Sequence, residues 1–232
     1  MNDTTRYPDG VTNVGADTAS ASMIQPDPTL LHEYWNDFDT YTAGDWVVTE
    51  TDSGATEALT AGNGGLLLIT NTAGGTDAVT LQKTPAAFAF TATKRAWFAA
   101  RLKVSDATNT DVQVGMIIVD TSPLDATDGI YFYKPNGGTA VNVYCRKDAT
   151  TGSNSATSIG NMADDTYIVL QWFYDGAGRL YYGVNGSQSG SLDASSSYLP
   201  DATNITVSFT LQNANTVANT MTVDYLYAAF ER

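Results

Sequence analysis

Residues 166–192, TYIVLQWFYDGAGRLYYGVNGSQSGSL, constrain this chain more than any other stretch. They hold two turn signals, Asp175-Gly176 and Asn185-Gly186, between runs rich in aromatic and β-branched residues. Asn-Gly and Asp-Gly accept the positive φ that tight hairpins demand, so the segment reads as three consecutive antiparallel strands. In the first, Ile168, Leu170, Trp172 and Tyr174 share one face at period two. The other face, Tyr167, Val169, Gln171 and Phe173, is also mostly apolar, which predicts a strand inside a sheet and covered on both sides. A further apolar strand over 220–230 is expected near it.

The rest of the chain has the same texture. After a strand over 46–51, Gly64-Gly65 introduces LLLIT (66–70) and Gly74-Gly75 precedes a strand over 78–83. In 95–104, RAWFAARLKV, Ala96, Phe98, Ala100, Leu102 and Val104 point one way, and Arg95, Trp97, Ala99, Arg101 and Lys103 the other. That alternation predicts a half-buried strand with a basic outer face. Strands follow over 111–119, 129–134 and 140–147, the last two joined by the turn residues Pro135-Asn136-Gly137-Gly138. Ile205, Val207, Phe209 and Leu211 alternate with Asn204, Thr206, Ser208 and Thr210, which predicts a strand with one face in water. Many short strands with Gly, Asn and Asp turns predict an all-β fold: a two-sheet antiparallel sandwich of jelly-roll type.

Two parts are expected, an arm over 1–32 and a sandwich over 33–232. The arm carries Pro8, Pro26 and Pro28, each of which fixes φ and favours extended geometry. Its apolar points, Tyr7, Val11, Val14, Met23, Ile24, Leu30 and Leu31, are spaced as anchors for a partner; a disordered tail is the alternative. The sandwich is large enough to bury a stable core without disulfides or metal. Cys145, the sole cysteine, alternates in phase with Val141 and Val143 and reads as a buried, inert thiol.

A formal charge of −14 and a pI near 4.1 argue against nucleic acid and against anionic membrane surfaces as partners. No Lys or Arg lies between Tyr7 and Gln82, while most of the basic residues fall between Lys83 and Lys147. This asymmetry suits an acidic face for a basic partner, or simply an acidic soluble surface. The N-terminus lacks the cationic start and apolar core of a signal peptide, and no run of apolar residues is long enough to span a bilayer. Synthesis in a cytoplasm is the expectation.

Several pieces are similar to concanavalin A-like and laminin G-like jelly rolls. They are Asp37-Phe38-Asp39 with Trp46, the ARLKV strand, Trp172-Phe-Tyr-Asp-Gly176, Tyr181-Tyr-Gly-Val-Asn-Gly186 and Val223-Asp-Tyr-Leu226. The likeness covers about residues 34–232 and is one of pattern. With its arm and its acidic, Thr/Ala/Gly-rich composition, the whole chain also resembles virion structural proteins of tailed bacteriophages that decorate or cement the capsid. That resemblance implies a non-enzymatic subunit located in the virion. Its partners would be the major capsid protein and further copies of itself, in a trimer.

The jelly-roll superfamily includes glycoside hydrolases, which place an acid and a second carboxylate on a cleft. Their Glu-x-Asp-x-x-Glu strand has no counterpart: Glu occurs only at 33, 50, 57 and 231, and Asp37-Phe-Asp39 reads as a polar edge. His32 is the only histidine, too few for a multi-histidine metal site or a conventional triad. Gly186-Ser-Gln-Ser-Gly190 has Gln188 where a nucleophile elbow has serine. No cofactor is expected. Calcium is the one metal left open, through Asp120, Asp125 and Asp128, although aspartate is equally a turn residue. Trp97, Tyr131, Tyr133 and Tyr144 fall on the less apolar faces of their strands. As exposed aromatics they would stack on sugar rings or against a neighbouring subunit. The first expectation is therefore capsid decoration, and the alternative is a lectin-like carbohydrate-binding module.

Overall fold

A computed structural model describes residues 30–62, 64–149 and 154–232. Among the described residues fifteen strands, β1 to β15, make two antiparallel sheets packed face to face. The eight-stranded sheet runs β13 (Ser187–Asp193), β12 (Arg179–Val184), β11 (Ile168–Tyr174), β6 (Ala96–Val104), β15 (Thr220–Glu231), β4 (Leu66–Thr70) and β3 (Thr56–Thr60), with β1 (Leu31–Asn36) also on β15. The seven-stranded sheet runs β10 (Ser155–Asn161), β9 (Ala140–Arg146), β8 (Gly129–Lys134), β7 (Thr110–Ile118), β14 (Ile205–Asn213), β5 (Ala78–Lys83) and β2 (Trp46–Glu50).

The hairpin signals act where the sequence places them. Asn185 and Gly186 both take positive φ, 52° and 79°, and turn β12 into β13. Asn185 also ties that turn to β11, its Oδ1 accepting the Val169 N–H at 2.8 Å. β11 sits between β12 and β6, and β6 in turn pairs with β15, so the two most apolar strands are one strand apart.

The core lies between the sheets. Phe98, Leu102, Trp172, Tyr174, Leu226 and Phe230 from one sheet meet Leu81, Val114, Phe132, Val143, Val207 and Phe209 from the other. Every residue of the β6, β9 and β14 inward sets read from period two is in this cluster, Cys145 included. Burial pushes the Cys145 thiol up to about 12, with a smaller contribution from Asp193, so it is a packed, unreactive group.

β15 is the longest strand, and both its flanks are used. Its first half pairs with β4 and its second half with β1, in register Leu31↔Glu231 to Asn36↔Leu226. A bulge between Val223 and Tyr225 marks the change-over and turns Asp224 toward Arg101, with which it forms an ion pair. Leu31 and His32, the last two residues assigned to the arm from sequence, thus belong to β1. Leu31 is buried, His32 stacks on Phe88 at 4.4 Å, and Leu30 is exposed. Tyr7, Val11, Val14, Met23 and Ile24 lie outside the described residues.

Candidate functional site

The two sheets turn very different outer faces away from the core. That of the seven-stranded sheet carries a polar row, one residue per strand, running across the strands. Thr49 (β2) pairs with Thr80 (β5), Thr80 with Thr210 (β14), Thr210 with Gln113 (β7), Gln113 with Tyr133 (β8) and Tyr133 with Asn142 (β9). β14 was expected to leave this face in water. Instead Thr206, Ser208 and Thr210 are buried, because β14 lies mid-sheet and each hydroxyl finds an internal partner. Thr210 bonds Thr80 at 2.9 Å, Ser208 accepts from Gln82 at 3.1 Å, and Thr206 donates to the Lys83 carbonyl at 2.5 Å.

Two members of the row are poised differently. The Tyr133 hydroxyl donates to Asp111 at 2.6 Å, and burial together with that carboxylate pushes the phenol above its ordinary range. Asp111 is held further by the Asn136 backbone and side-chain N–H groups at 3.1 and 2.7 Å. Gln113 is 1% exposed, and neither its amide N–H nor its carbonyl has a partner among the described residues. A buried carboxamide left unsatisfied at both ends is costly, and such groups mark places where a structure awaits a ligand or water.

The loop between β7 and β8 folds over part of this face. Gln82 clamps it, donating to the Ile118 carbonyl at 3.0 Å and accepting from the Asp120 N–H at 2.9 Å. Ala126 packs beneath it on Ile117 and Tyr131. Gly115 lets Tyr131 of the neighbouring strand lie close against β7, since a Cβ there would lie 2.5 Å from the Tyr131 Cα. Between loop and sheet lies a cavity of about 280 Å³, with Thr49, Thr80, Thr210 and Gln212 on its floor and Ser122 and Asp125 on its wall.

The calcium candidates are not brought together. Asp120 caps its own turn by accepting the Ser122 N–H at 2.9 Å. Asp128 accepts from the Thr127 hydroxyl and the Asp148 N–H. The Asp125 side chain is exposed, 3.7 Å from Arg146. Among the described residues no three acidic, histidine or cysteine side chains converge as a metal shell requires. The loop's geometry accounts for these aspartates as turn residues.

The aromatic candidates divide between the two faces. On the seven-stranded sheet Tyr133 is itself a member of the polar row, and Tyr131 and Tyr144 lie beside it; Tyr131 stacks on Tyr144 at 5.4 Å and is buried, while the other two are half-buried. Trp97 belongs to the eight-stranded sheet and is not exposed: it is 3% accessible, wedged against Phe173 with the Arg95 guanidinium over its ring. Thr49, Thr80, Gln113 and Thr210 escaped the sequence reading. Their only signal was polar alternation, which any water-facing strand shares, and the row depends on a strand order that local sequence does not carry.

No protein-family model and no curated protein matches the chain by sequence. Solved structures do match in shape. An endo-1,3-beta-glucanase from Streptomyces sioyaensis superposes with a TM-score of 0.64 at 14% identity, covering 89% of this chain and 99% of that one. The carbohydrate recognition domain of Emp47p gives 0.60 at 13%, covering 89% and 99%. Peanut lectin gives 0.54 at 10%, covering 86% and 97%. The fold is a concanavalin A-like jelly roll. At these identities the likeness extends to architecture alone.

Proposed function

We propose that this concanavalin A-like domain is a carbohydrate-binding module whose ligand lies on the outer face of the seven-stranded sheet. The observation that carries the reading is the row Thr49–Thr80–Thr210–Gln113–Tyr133–Asn142 with the cavity at its Thr49 end. Hydroxyl and carboxamide groups give and accept hydrogen bonds in the plane of a sugar's own hydroxyls, and half-buried tyrosines beside them offer ring faces to its C–H side. The lining is uncharged apart from Asp125, and the chain carries −14. Neutral glycans therefore suit it better than sialylated or uronic ones.

The proposed role is binding without catalysis. A hydrolase needs two carboxylates facing one bond. Here Asp111 is tied to Tyr133 and Asn136, and Asp125 stands exposed beside Arg146. The names of similar structures support a sugar-related use: a glucanase, a carbohydrate recognition domain and a lectin. The capsid-decoration role implied by the phage likeness rests on arm residues outside the described ones. The sandwich itself favours the glycan reading, which also suits a receptor-binding part of a virion.

The test is a glycan array followed by titration calorimetry of the best neutral oligosaccharide, with Thr210→Val and Gln113→Leu in parallel. Binding at micromolar to millimolar affinity, weakened by both variants, is expected. A flat array, or binding untouched by both substitutions, would remove the proposal. Release of reducing sugar during the titration would overturn its non-catalytic half.

A further inference from the structure

Asn-Gly pairs shape turns, and they are also the dipeptides most open to spontaneous chemistry. Glycine has no Cβ to keep its own backbone nitrogen away from the carbonyl of the asparagine side chain. The chain has three such pairs, Asn63-Gly64, Asn136-Gly137 and Asn185-Gly186, of which Asn63 lies outside the described residues. The other two are closely matched. One turns β8 into β9 and the other β12 into β13, and all four residues are exposed. Gly137 and Gly186 share a φ of 79°, and a Cβ on either would meet nothing within 4 Å. Exposure and glycine geometry therefore do not separate the two turns; hydrogen bonding does.

At Asn136-Gly137 every reacting group is engaged. The Asn136 side-chain amide donates to Asp111 at 2.7 Å and its backbone N–H to the same carboxylate at 3.1 Å. The Gly137 N–H donates to the Thr108 carbonyl at 2.8 Å. The nucleophile is occupied, and the amide it would attack is held beside a negative charge. At Asn185-Gly186 the same groups are free: neither the Gly186 N–H nor the Asn185 side-chain N–H has an acceptor among the described residues. The side-chain bond that Asn185 does make points the other way. Its Oδ1 accepts the Val169 N–H at 2.8 Å, which draws electron density from the carbonyl and makes Cγ more electrophilic.

We propose that Asn185 is a site of spontaneous covalent modification, and that the fold protects Asn136 from the same reaction. The Gly186 nitrogen gives its proton to solvent base and attacks Cγ of Asn185. A bond forms between that nitrogen and Cγ, the bond from Cγ to Nδ2 breaks, and ammonia leaves a cyclic imide. Water then opens the imide. Attack at Cγ returns the main chain to its ordinary course and leaves aspartate; attack at the backbone carbonyl routes the chain through the side chain and leaves isoaspartate. No oxidant or reductant takes part. Aspartate keeps an acceptor for the Val169 N–H and adds a negative charge to the turn. Isoaspartate inserts a methylene into the backbone of a tight turn that pairs Val184 with Ser187 and so sets the register of the edge strand β13.

The test uses the full chain, aged in its folded state at mildly alkaline pH in heavy-oxygen water. Mass spectrometry of proteolytic fragments then reads the conversion of each asparagine separately. Asn185 is expected to convert about tenfold faster than Asn136 or more, the factor that one or two intact hydrogen bonds supply. In concentrated urea both pairs lose their surroundings, and the two rates should converge. Asp111→Ala should raise the Asn136 rate in the folded chain and leave that of Asn185 unchanged. An Asn185 that does not convert, or equal rates in the folded chain, overturns the proposal. So does a contrast that persists in urea, because the flanking sequence and not the fold would then set it. The comparison with urea needs no substitution and decides the matter even where Asp111→Ala fails to fold.

Discussion

The two outer faces of this sandwich divide polar and apolar chemistry between them. One face has Thr49, Thr80, Thr210, Gln113, Tyr133 and Asn142 in register across six strands; the other carries aromatic residues on five strands, with Trp97, Phe173 and Tyr181 in register on three of them and Trp35 opposite Tyr227 on the other two. Both are more buried than an open sheet face should be, and each hides donors without partners. The polar face keeps a cavity of about 280 Å³ and an unsatisfied carboxamide, as a ligand site does. The aromatic face packs Trp97 and Tyr227 dry and contributes to stability. Burial alone therefore does not identify a site; what distinguishes the two is whether polar groups line open space or are sealed beneath apolar ones.

The largest effect expected of this contrast is on folding. Trp97→Ala should cost about 3 kcal/mol or more in urea denaturation, the scale for removing a buried large aromatic. It should leave glycan affinity unchanged. Thr210→Val on the other sheet should lose affinity by about tenfold and shift stability by only about 1 kcal/mol, the net worth of its bond to Thr80. A small effect of Trp97→Ala would make the aromatic face an ordinary surface and dissolve the comparison.

Paired tyrosines sharpen it next. Tyr133→Phe removes the donor to Asp111 and should cost about 1–2 kcal/mol, since a carboxylate loses one of its partners. Tyr227→Phe removes a hydroxyl that bonds nothing described and should be nearly neutral at pH 7. The alkaline limb behaves differently. Burial, with Glu33 adding to it, raises the Tyr227 phenol from 10 to about 12, so the folded state resists ionisation that the unfolded state accepts. Its contribution is complete below pH 10 and declines as pH rises from 10 to about 12. Tyr227→Phe should flatten that decline in stability-versus-pH curves, and an unaltered slope would show the hydroxyl to be solvated.

Gln113→Leu comes third. Replacing an unsatisfied buried amide with an apolar group of similar size should raise stability by about 1 kcal/mol while weakening glycan binding. Stabilisation with loss of function is the signature of a group kept for a ligand. Destabilisation would mean that an ordered water satisfies the amide, and would turn Gln113 into a structural residue.

Much of this architecture was legible from the sequence because it rests on period two and on turn chemistry, both local. Asn185-Gly186 and the inward sets of β6 and β14 read correctly, whereas the outer face of β14, expected in water, is buried. What local sequence could not supply is the pairing of strands far apart in the chain. Thr49, Thr80, Gln113 and Thr210 meet only because β2, β5, β14 and β7 are neighbours in an order unrelated to sequence. Trp97 was misread for a similar reason. Its neighbours on β6 are Arg95, Ala99 and Arg101, which suggest a wet face, whereas Phe173 and Tyr227 reach it from strands more than seventy residues away.

The smallest expected effect concerns the charges that rim the aromatic face. Arg95 binds Glu231 through its Nε at 2.7 Å and its backbone N–H at 2.7 Å, closing the end of β15 onto the start of β6. Burial opposes ionisation of Glu231, but the Arg95 hydrogen bonds and charge outweigh it and hold the carboxyl below its usual value. A lowered carboxylate contributes stability that is present above its unfolded pKa and is lost as pH falls through the folded one. With half of the Arg95 side chain in solvent, screening reduces this to less than about 0.5 kcal/mol. Arg95→Ala nevertheless removes two things at once, the ion pair and the guanidinium lying 5.7 Å from the Trp97 ring. Salt separates them. If the pair dominates, the difference between Arg95→Ala and the natural chain should vanish in molar sodium chloride, where the screening length is about 3 Å. If it persists, the arginine acts chiefly by packing flat on the Trp97 ring, and its role is packing rather than charge.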